Sequence, residues 1–448
     1  MFLHINTHGT QLHPCCLTPP DRDRDPLRFQ SHKKQSCKHP HHFSPSFLRH
    51  FPVFVGPILA DVLWCTGVTY LRSRSLNLLH TMTSNVLTPY IKLLFLEPPN
   101  LTPSDLATVL RSIFKGIPSE VQTAAFLTAL RMRGLDHEPE YIAAAVGTVL
   151  EFSEMIPPAE VDLRGFVDIV GTGGDGQNTF NVSTSAAIVA GGMGIKVCKH
   201  GGKASTLVSG SGDLLRSLGV DLSVVTRATA PGITEKLDFC FLFAPAFHPG
   251  MAAVASTRAQ LGVPTIFNIL GPLMNPMPLR ARVLGVYSEK LGESYALAAL
   301  QLAQQSPVHE RTMVVFGEVG LDEISPTGLT KCWTVDKNGI ERLSISPRDF
   351  GLPEHSLGQV RSGTPEENAE ILFHILRQDA PEFMIRSAGN HPLVDYITMN
   401  AAAVAVVAGV ASDWKDGVAK AREAIISGRA LAALEDFKRA VDEAKNRS

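Results

Sequence analysis

The run Gly171-Thr172-Gly173-Gly174-Asp175-Gly176 follows directly on a short, mostly apolar stretch at 166–170. Glycines carry no Cβ, so consecutive backbone N–H groups can turn toward one point and form an anion nest at the carboxyl end of a strand. Gly171, Gly173 and Gly176 also satisfy the spacing GxGxxG. A dinucleotide fold would want an acid about 20 residues further on, for a ribose hydroxyl. That stretch carries Lys196 and Lys199 and no acid, which turns the reading from nicotinamide to phosphate. Thr179, Asn181, Ser183, Thr184 and Ser185 then gather polar side chains at a helix start, where donors and the helix dipole favour an anion, although Ser and Thr are also ordinary caps. Lys199-His200-Gly201-Gly202-Lys203 follows a second apolar run at 195–198 and leads to Ser209-Gly210-Ser211-Gly212-Asp213. Two lysines and a flexible backbone there could converge on the same crevice, or form a solvated basic loop. His200 could be a base or only pack. Asp322 and Glu323, just past an apolar run at 313–316, are adjacent hard oxygen donors of the kind Mg²⁺ takes beside substrate phosphates; standing alone they would read as an acidic turn.

Such loops need a scaffold. Strand, glycine loop, helix, strand is a βαβ unit. Apolar runs recur at 239–243, 283–286 and 313–316, and helical patterns follow at 290–304, 365–378, 399–411 and 415–427. The second of these helices opens with Thr364-Pro365-Glu366-Glu367, a capping box. The alternation predicts an α/β domain with a mostly parallel central sheet. Residues 88–155 read as helices only. Leu106, Val109, Leu110 and Ile113 share a face, Ser119 and Gln122 form a capping-box pattern, and Gly134 is a stop. The expected organisation is an N-terminal helical domain at 82–160 and a larger α/β domain at 161–448.

The chain has 448 residues and a formal charge of −2, against a strongly basic nucleic-acid binder. Its seven cysteines are too few and too scattered for a disulfide framework, so a reducing, cytoplasmic setting is expected. Residues 1–81 differ from the rest: they hold 9 of the 16 His and 4 of the 7 Cys and show no apolar period. Cys37, His39, His41 and His42 match no common zinc spacing and are interrupted by Pro40. The apolar stretch at 51–68 contains Pro52, Gly56, Pro57 and Asp61, which argues against a membrane span. We read 1–81 as a dispensable extension. Its removal is expected to leave turnover unchanged and to shift the melting temperature by less than about 4 °C, checked by a thermal melt of the shortened chain.

Together the motifs GTGGD at 171–175, FNVSTS at 180–185, KHG at 199–201, SGS at 209–211, HPGMAAVASTRAQLGVPTIFNILGPLMNP at 248–276 and GLDEIS at 320–325 resemble the anthranilate phosphoribosyltransferases. The resemblance covers about residues 86–440. It implies a nucleoside-phosphorylase-like phosphoribosyltransferase fold in which a segment near 248–276 joins the helical domain. It implies transfer of phosphoribose from phosphoribosyl diphosphate (PRPP) to the amine of anthranilate, with Mg²⁺, in tryptophan biosynthesis, by a homodimer with no nucleic acid or membrane partner. Carried over motif by motif, Gly171, Gly174, Asp175, Thr179, Asn181, Ser183, Thr184, Lys199 with the loop to Leu207, and Ser211 would hold PRPP. Ser183, Asp322 and Glu323 would bind Mg²⁺. Gly171, Gly202 and Arg258 would face anthranilate, with Arg258 pairing its carboxylate, and Lys199 and Arg258 would carry the catalytic roles. The chain departs from the family's KHGNR: Gly202 and Lys203 stand where Asn and Arg are usual. Two other readings are a pyrimidine nucleoside phosphorylase of the same fold and a non-catalytic nucleic-acid-binding paralogue. The acid pair disfavours both, and a charge of −7 after residue 81 disfavours the second.

Overall fold

The computed structural model describes residues 85–447 apart from 163, 204–208 and 307. Cys37, His39, His41 and His42, the stretch at 51–68 and the break at Met82 lie outside the described residues. Among the described residues no helix is long and apolar enough to cross a membrane.

Four helices come first: α1 (Thr88–Leu94), α2 (Pro103–Phe114), α3 (Glu120–Met132) and α4 (Pro139–Glu151). The capping box that opens α2 joins Thr102 and Asp105, each side chain accepting from the other's backbone N–H, and Pro103 fills a first-turn position whose N–H would have no helical partner. Leu106, Val109, Leu110 and Ile113 are its buried stripe. At α3 only half of the expected box forms. Ser119 accepts from the Gln122 N–H, but the Gln122 amide turns inward to the Leu87 N–H and to Thr88 Oγ1, both at 2.9 Å, because that buried N–H has greater need of a partner.

The longer elements that follow are β1 (Phe166–Gly171), α5 (Val182–Gly192), β2 (Val197–Gly201), α6 (Ser211–Ser217), β3 (Phe239–Phe243), α7 (Ala252–Leu261), β4 (Leu279–Gly285), α8 (Glu289–Ala303), β5 (Arg311–Gly317), β6 (Thr330–Asp336), β7 (Gly339–Ile345), α9 (Pro365–Arg377), α10 (Pro392–Val407), α11 (Trp414–Ile426) and α12 (Arg429–Arg447). They build one sheet in the order β3-β2-β1-β4-β5-β6-β7. The first five strands are parallel; β6 and β7 are antiparallel. The hairpin β6–β7 and helix α12 are not expected from the sequence, and α10 begins seven residues before the predicted 399. Asn338-Gly339 at the hairpin turn is the available signal. β2 also runs to Gly201, so Lys199 and His200 are strand residues, not loop residues.

Val254, Ile266, Phe267, Leu270 and Leu273 share a buried cluster with Leu106, Leu127 and Ile142, so the segment carrying α7 packs with the helical part. α5 is buried along its whole length. Gly192 allows this, since a Cβ there would lie 2.5 Å from the Ala430 backbone. The strand order reverses at β1, with β2 on one side and β4 on the other. Ligands of open α/β sheets bind outside the carboxyl ends of the strands at such a point.

Candidate active site

A cleft of about 260 Å³ opens there. Gly171, Asp175, Thr179, Asn181, Ser183, Lys199, Gly202, Ser211, Asp322 and Glu323 all line it. Three of the expected residues do not. Gly174 is exposed on the outer turn of the loop, with φ +81. Thr184 is buried beneath the cleft. Arg258 sits half-buried on α7 with its guanidinium 5.7 Å from the centre of the Phe267 ring, and burial lowers its pKa.

The acidic loop after β5 is fitted against two glycines. Asp322 Oδ2 accepts from the Gly173 N–H at 2.6 Å. A Cβ on Gly171 would lie 2.3 Å from Asp322 Oδ2, and one on Gly285 would lie 1.6 Å from the Asp322 carbonyl oxygen. Gly171 therefore works through close approach to Asp322. From behind, Asn400 of α10 brackets Ile324, its amide accepting from the Ile324 N–H and donating to the Ile324 carbonyl, both at 3.3 Å. Burial, reinforced by the charge of Asp175, pushes the Asp322 carboxyl up to about 7. Burial and the charge of Asp322 push Glu323 well above the usual carboxylate range, and Ser183 hydrogen-bonds it.

Lys199 is fully buried and donates to the Ile169 carbonyl at 2.5 Å and to Ser183 Oγ at 3.3 Å. Burial lowers its pKa, opposed by the charges of Asp168, Glu323 and Asp322. Asp168, in the middle of β1, accepts from Asn275 Nδ2 at 2.8 Å and from the His200 N–H at 3.3 Å, bracing β2 against the segment 271–277. His200 faces His248, Nε2 to Nε2 at 3.0 Å, and His248 Nδ1 lies 2.7 Å from Ser153 Oγ just past α4. Burial depresses both imidazoles, His248 to about 4 and His200 well below the usual imidazole range with help from His248, so the pair is neutral at pH 7. The chain His200–His248–Ser153 ties the cleft floor to the end of the helical part.

Five buried side-chain polar atoms among the described residues have no hydrogen-bond partner. Three belong to the loop and helix start at the cleft: Thr172 Oγ1, Asn178 Oδ1 and Thr184 Oγ1. The Tyr396 hydroxyl, a fourth, is set apart from these because Thr179 lies within side-chain hydrogen-bonding range of it. Buried polar groups are seldom left unpaired, and a cluster of them marks a place that a ligand completes. The donor set also fits Mg²⁺. It is all oxygen, its carboxylates are held against their own repulsion, and among the described residues no group of three or more His, Cys, Asp or Glu forms a ready-made cage. Mg²⁺ takes one or two carboxylates and fills the remainder with phosphate and water.

Gly285, Asp168 and Asn400 are not singled out by the sequence. A glycine closing an apolar run is the signal for the first; the other two gain meaning only from strands and helices distant in the chain.

Comparison with known proteins agrees with this geometry. The helical bundle domain of the glycosyl transferase family matches residues 88–153, and its a/b domain matches 163–431. The anthranilate phosphoribosyltransferase of Saccharomyces cerevisiae is 42% identical over 381 residues, 80% of this chain and 98% of that protein. That of Schizosaccharomyces pombe is 46% identical over 339 residues, 76% of this chain and 92% of that protein. Among solved structures, the S. cerevisiae enzyme in complex with PRPP and Mg matches with a TM-score of 0.73 at 43% identity, covering 80% of this chain and 98% of that one. The Thermus thermophilus enzyme matches with a TM-score of 0.67 at 38% identity, covering 76% and 96%. With two thirds and more of these relatives spanned at such identity, the chain belongs to the anthranilate phosphoribosyltransferase family.

Proposed function

We propose that this chain transfers the phosphoribosyl group of PRPP to the amine of anthranilate, releasing diphosphate, with Mg²⁺. The observation that carries the reading is the cleft itself: a glycine loop, a buried lysine, crowded carboxylates and the unpartnered Thr172 hydroxyl around one space at the strand-order reversal. The test is the fall of anthranilate fluorescence when PRPP and Mg²⁺ are both supplied. Consumption of neither substrate would overturn it, and phosphorolysis of thymidine or uridine without Mg²⁺ would favour a nucleoside phosphorylase.

In this reading Gly171, Gly173, Asp175, Thr179, Asn181, Ser183, Lys199 and Ser211 hold the donor, and Asp322, Glu323 and Ser183 hold the metal. Bound there, Mg²⁺ would offset the negative charge that builds up on the departing diphosphate. Backbone N–H groups of the glycine loop and the Lys199 ammonium add fixed donors at the same place, which is where charge develops as the bond at ribose C1 breaks. The amine of anthranilate is unprotonated at neutral pH, so no base has to free its lone pair. The neutral, mutually bonded His200 and His248 are in keeping with that. The task left to the chain is to align the two substrates.

Arg258 takes the anthranilate carboxylate in this scheme. Arg258→Ala is expected to raise KM for anthranilate by roughly 10- to 150-fold, the worth of a charge-assisted pair, with KM for PRPP little changed. Steady-state kinetics with each substrate varied would check it. Equal effects on both would mean that Arg258 acts on the fold or on closure of the cleft.

At Gly202 the backbone is not left-handed and a Cβ would meet nothing within 4 Å among the described residues. Gly202→Asn is therefore expected to fold normally and to tighten anthranilate by about 0.5–1.5 kcal/mol, one hydrogen bond's net value. Calorimetric titration of the variant in the presence of PRPP would measure it.

The active unit is a homodimer in the cytoplasm. Phe95, Val121 and Met132 stand 69%, 79% and 79% exposed on the helical part, an apolar face suited to a second copy. The free cysteines among the described residues, Cys198, Cys240 and Cys332, are in keeping with a reducing compartment.

A further inference from the structure

A second cavity, of about 490 Å³, lies where the helical part meets the α/β part and shares no lining residue with the cleft. Leu150 and Ile156 line it from the end of the helical part, and Met277 and Leu302 from the other side. Arg282, from the middle of β4, forms part of its wall.

Arg282 is only 7% exposed, and among the described residues its side chain makes one hydrogen bond, from Nε to Thr312 Oγ1 at 3.2 Å. Among the described residues no carboxylate forms an ion pair with it. Asp168, whose charge it feels, is engaged by Asn275 and the His200 N–H. Glu151 lines the cavity too, but its two oxygens accept from Arg111 at 2.6 and 2.7 Å. His309 brings no negative charge: its ring bonds Thr312 Oγ1 at 2.8 Å and the Leu279 carbonyl at 3.3 Å. Neither terminal nitrogen of Arg282 is among the fully buried unpartnered atoms, so the guanidinium faces the cavity; a charge so little exposed and without a counter-charge is costly unless something pairs with it. Burial, opposed by the charges of Tyr295 and Asp168, brings its pKa down to about 10, so it keeps its charge at neutral pH.

We propose that this cavity is a second ligand site, separate from the cleft, for a small monocarboxylate with an apolar body. The planar fork of an arginine matches a carboxylate in two parallel hydrogen bonds. One unpaired positive charge calls for one negative charge, and apolar walls on both sides call for hydrocarbon behind it, which disfavours phosphate or a polyanion. Ile156, in the cavity wall, donates its N–H to the Pro276 carbonyl at 3.1 Å across the junction. An occupant touching both sides therefore tightens the junction between the two parts.

The test is calorimetric titration of the full chain with 3-phenylpropanoate and, as the uncharged control, 3-phenylpropanamide. The acid is expected to bind, and the amide to bind about 10- to 150-fold more weakly for want of a charge-assisted pair. Arg282→Gln, which keeps a donor for Thr312, is expected to weaken the acid by a similar factor, and Arg258→Ala to leave it unchanged. No binding of the acid at about 10 mM, weaker than any specific site of this kind, would overturn the proposal. So would equal binding of acid and amide, a comparison on the unaltered chain that does not depend on how Arg282→Gln folds. Binding lost in Arg258→Ala and kept in Arg282→Gln would assign the acid to the anthranilate pocket and overturn it as well.

Discussion

Asp322→Asn combined with Glu323→Gln is expected to lower turnover by at least about 10³-fold in a chain that remains folded. Removing one preorganised charge-stabilising group commonly costs about 10²–10³ in rate, and here two hard anionic ligands go together. The amides keep the shape of the side chains. A neutral amide in place of the Asp322 carboxylate would hold the Gly173 N–H, now at 2.6 Å, less firmly, but the loop is also bracketed at Ile324. Stability gives an independent reading. The ordinary aspartate pKa of 3.8 rises to about 7 at Asp322 in the metal-free fold. Between those values the native state holds a proton that the unfolded chain has released. This contribution to stability is fully present below the unfolded pKa and is lost as pH rises through the folded one. The metal-free parent should therefore melt at lower temperature at about pH 8 than at about pH 5, and the double variant should show a flatter profile. With PRPP and Mg²⁺ added, the parent's melting temperature should rise and the variant's should not. Full activity of the variant at millimolar Mg²⁺ would sink the metal assignment.

Gly285→Ala should be nearly as damaging, by a different route. The added Cβ would lie 1.6 Å from the Asp322 carbonyl oxygen and 2.5 Å from its carbonyl carbon. Both are backbone atoms, so no flexible side chain can swing aside and the acidic loop itself must move. Overpacking of this kind costs about 3 kcal/mol, a fall of roughly 6–12 °C in melting temperature at about 2–4 °C per kcal/mol. The moved loop also loses its register with Gly173, so affinity for PRPP with Mg²⁺ should fall along with stability. Gly147→Ala is the matched control: it lies within α4 with nothing among the described residues within 4 Å of its Cβ, and alanine favours a helix by up to about 1 kcal/mol. Thermal melts of the two variants side by side would check the contrast. A Gly285→Ala chain as stable and active as the parent would mean that the loop is far more pliant than its packing implies.

Chemistry written in contiguous residues is legible from the sequence. The glycine loop, the hydroxyl-rich helix start, Lys199 and the acid pair each announce themselves through residue type and spacing, and the βαβ alternation says that they share one edge of a sheet. The helix start at Thr364 is equally plain, because a capping box closes within four residues. Gln122 shows where this stops: its sequence partner is Ser119, but its amide goes to Leu87 and Thr88, at the start of another helix.

What the residues alone determined, then, was the α/β class with its helical domain, the family, and the side chains able to hold phosphate and metal, all carried by interactions within a few residues. Tertiary structure decided the rest. It made Gly285 indispensable by bringing β4 under Asp322, gave Asp168 and Asn400 their work as braces, paired His200 with His248, and left Arg282 buried without an acid. Each of these depends on close approach or desolvation between segments tens to more than a hundred residues apart, and neither distance nor burial is encoded in the spacing of neighbouring residues.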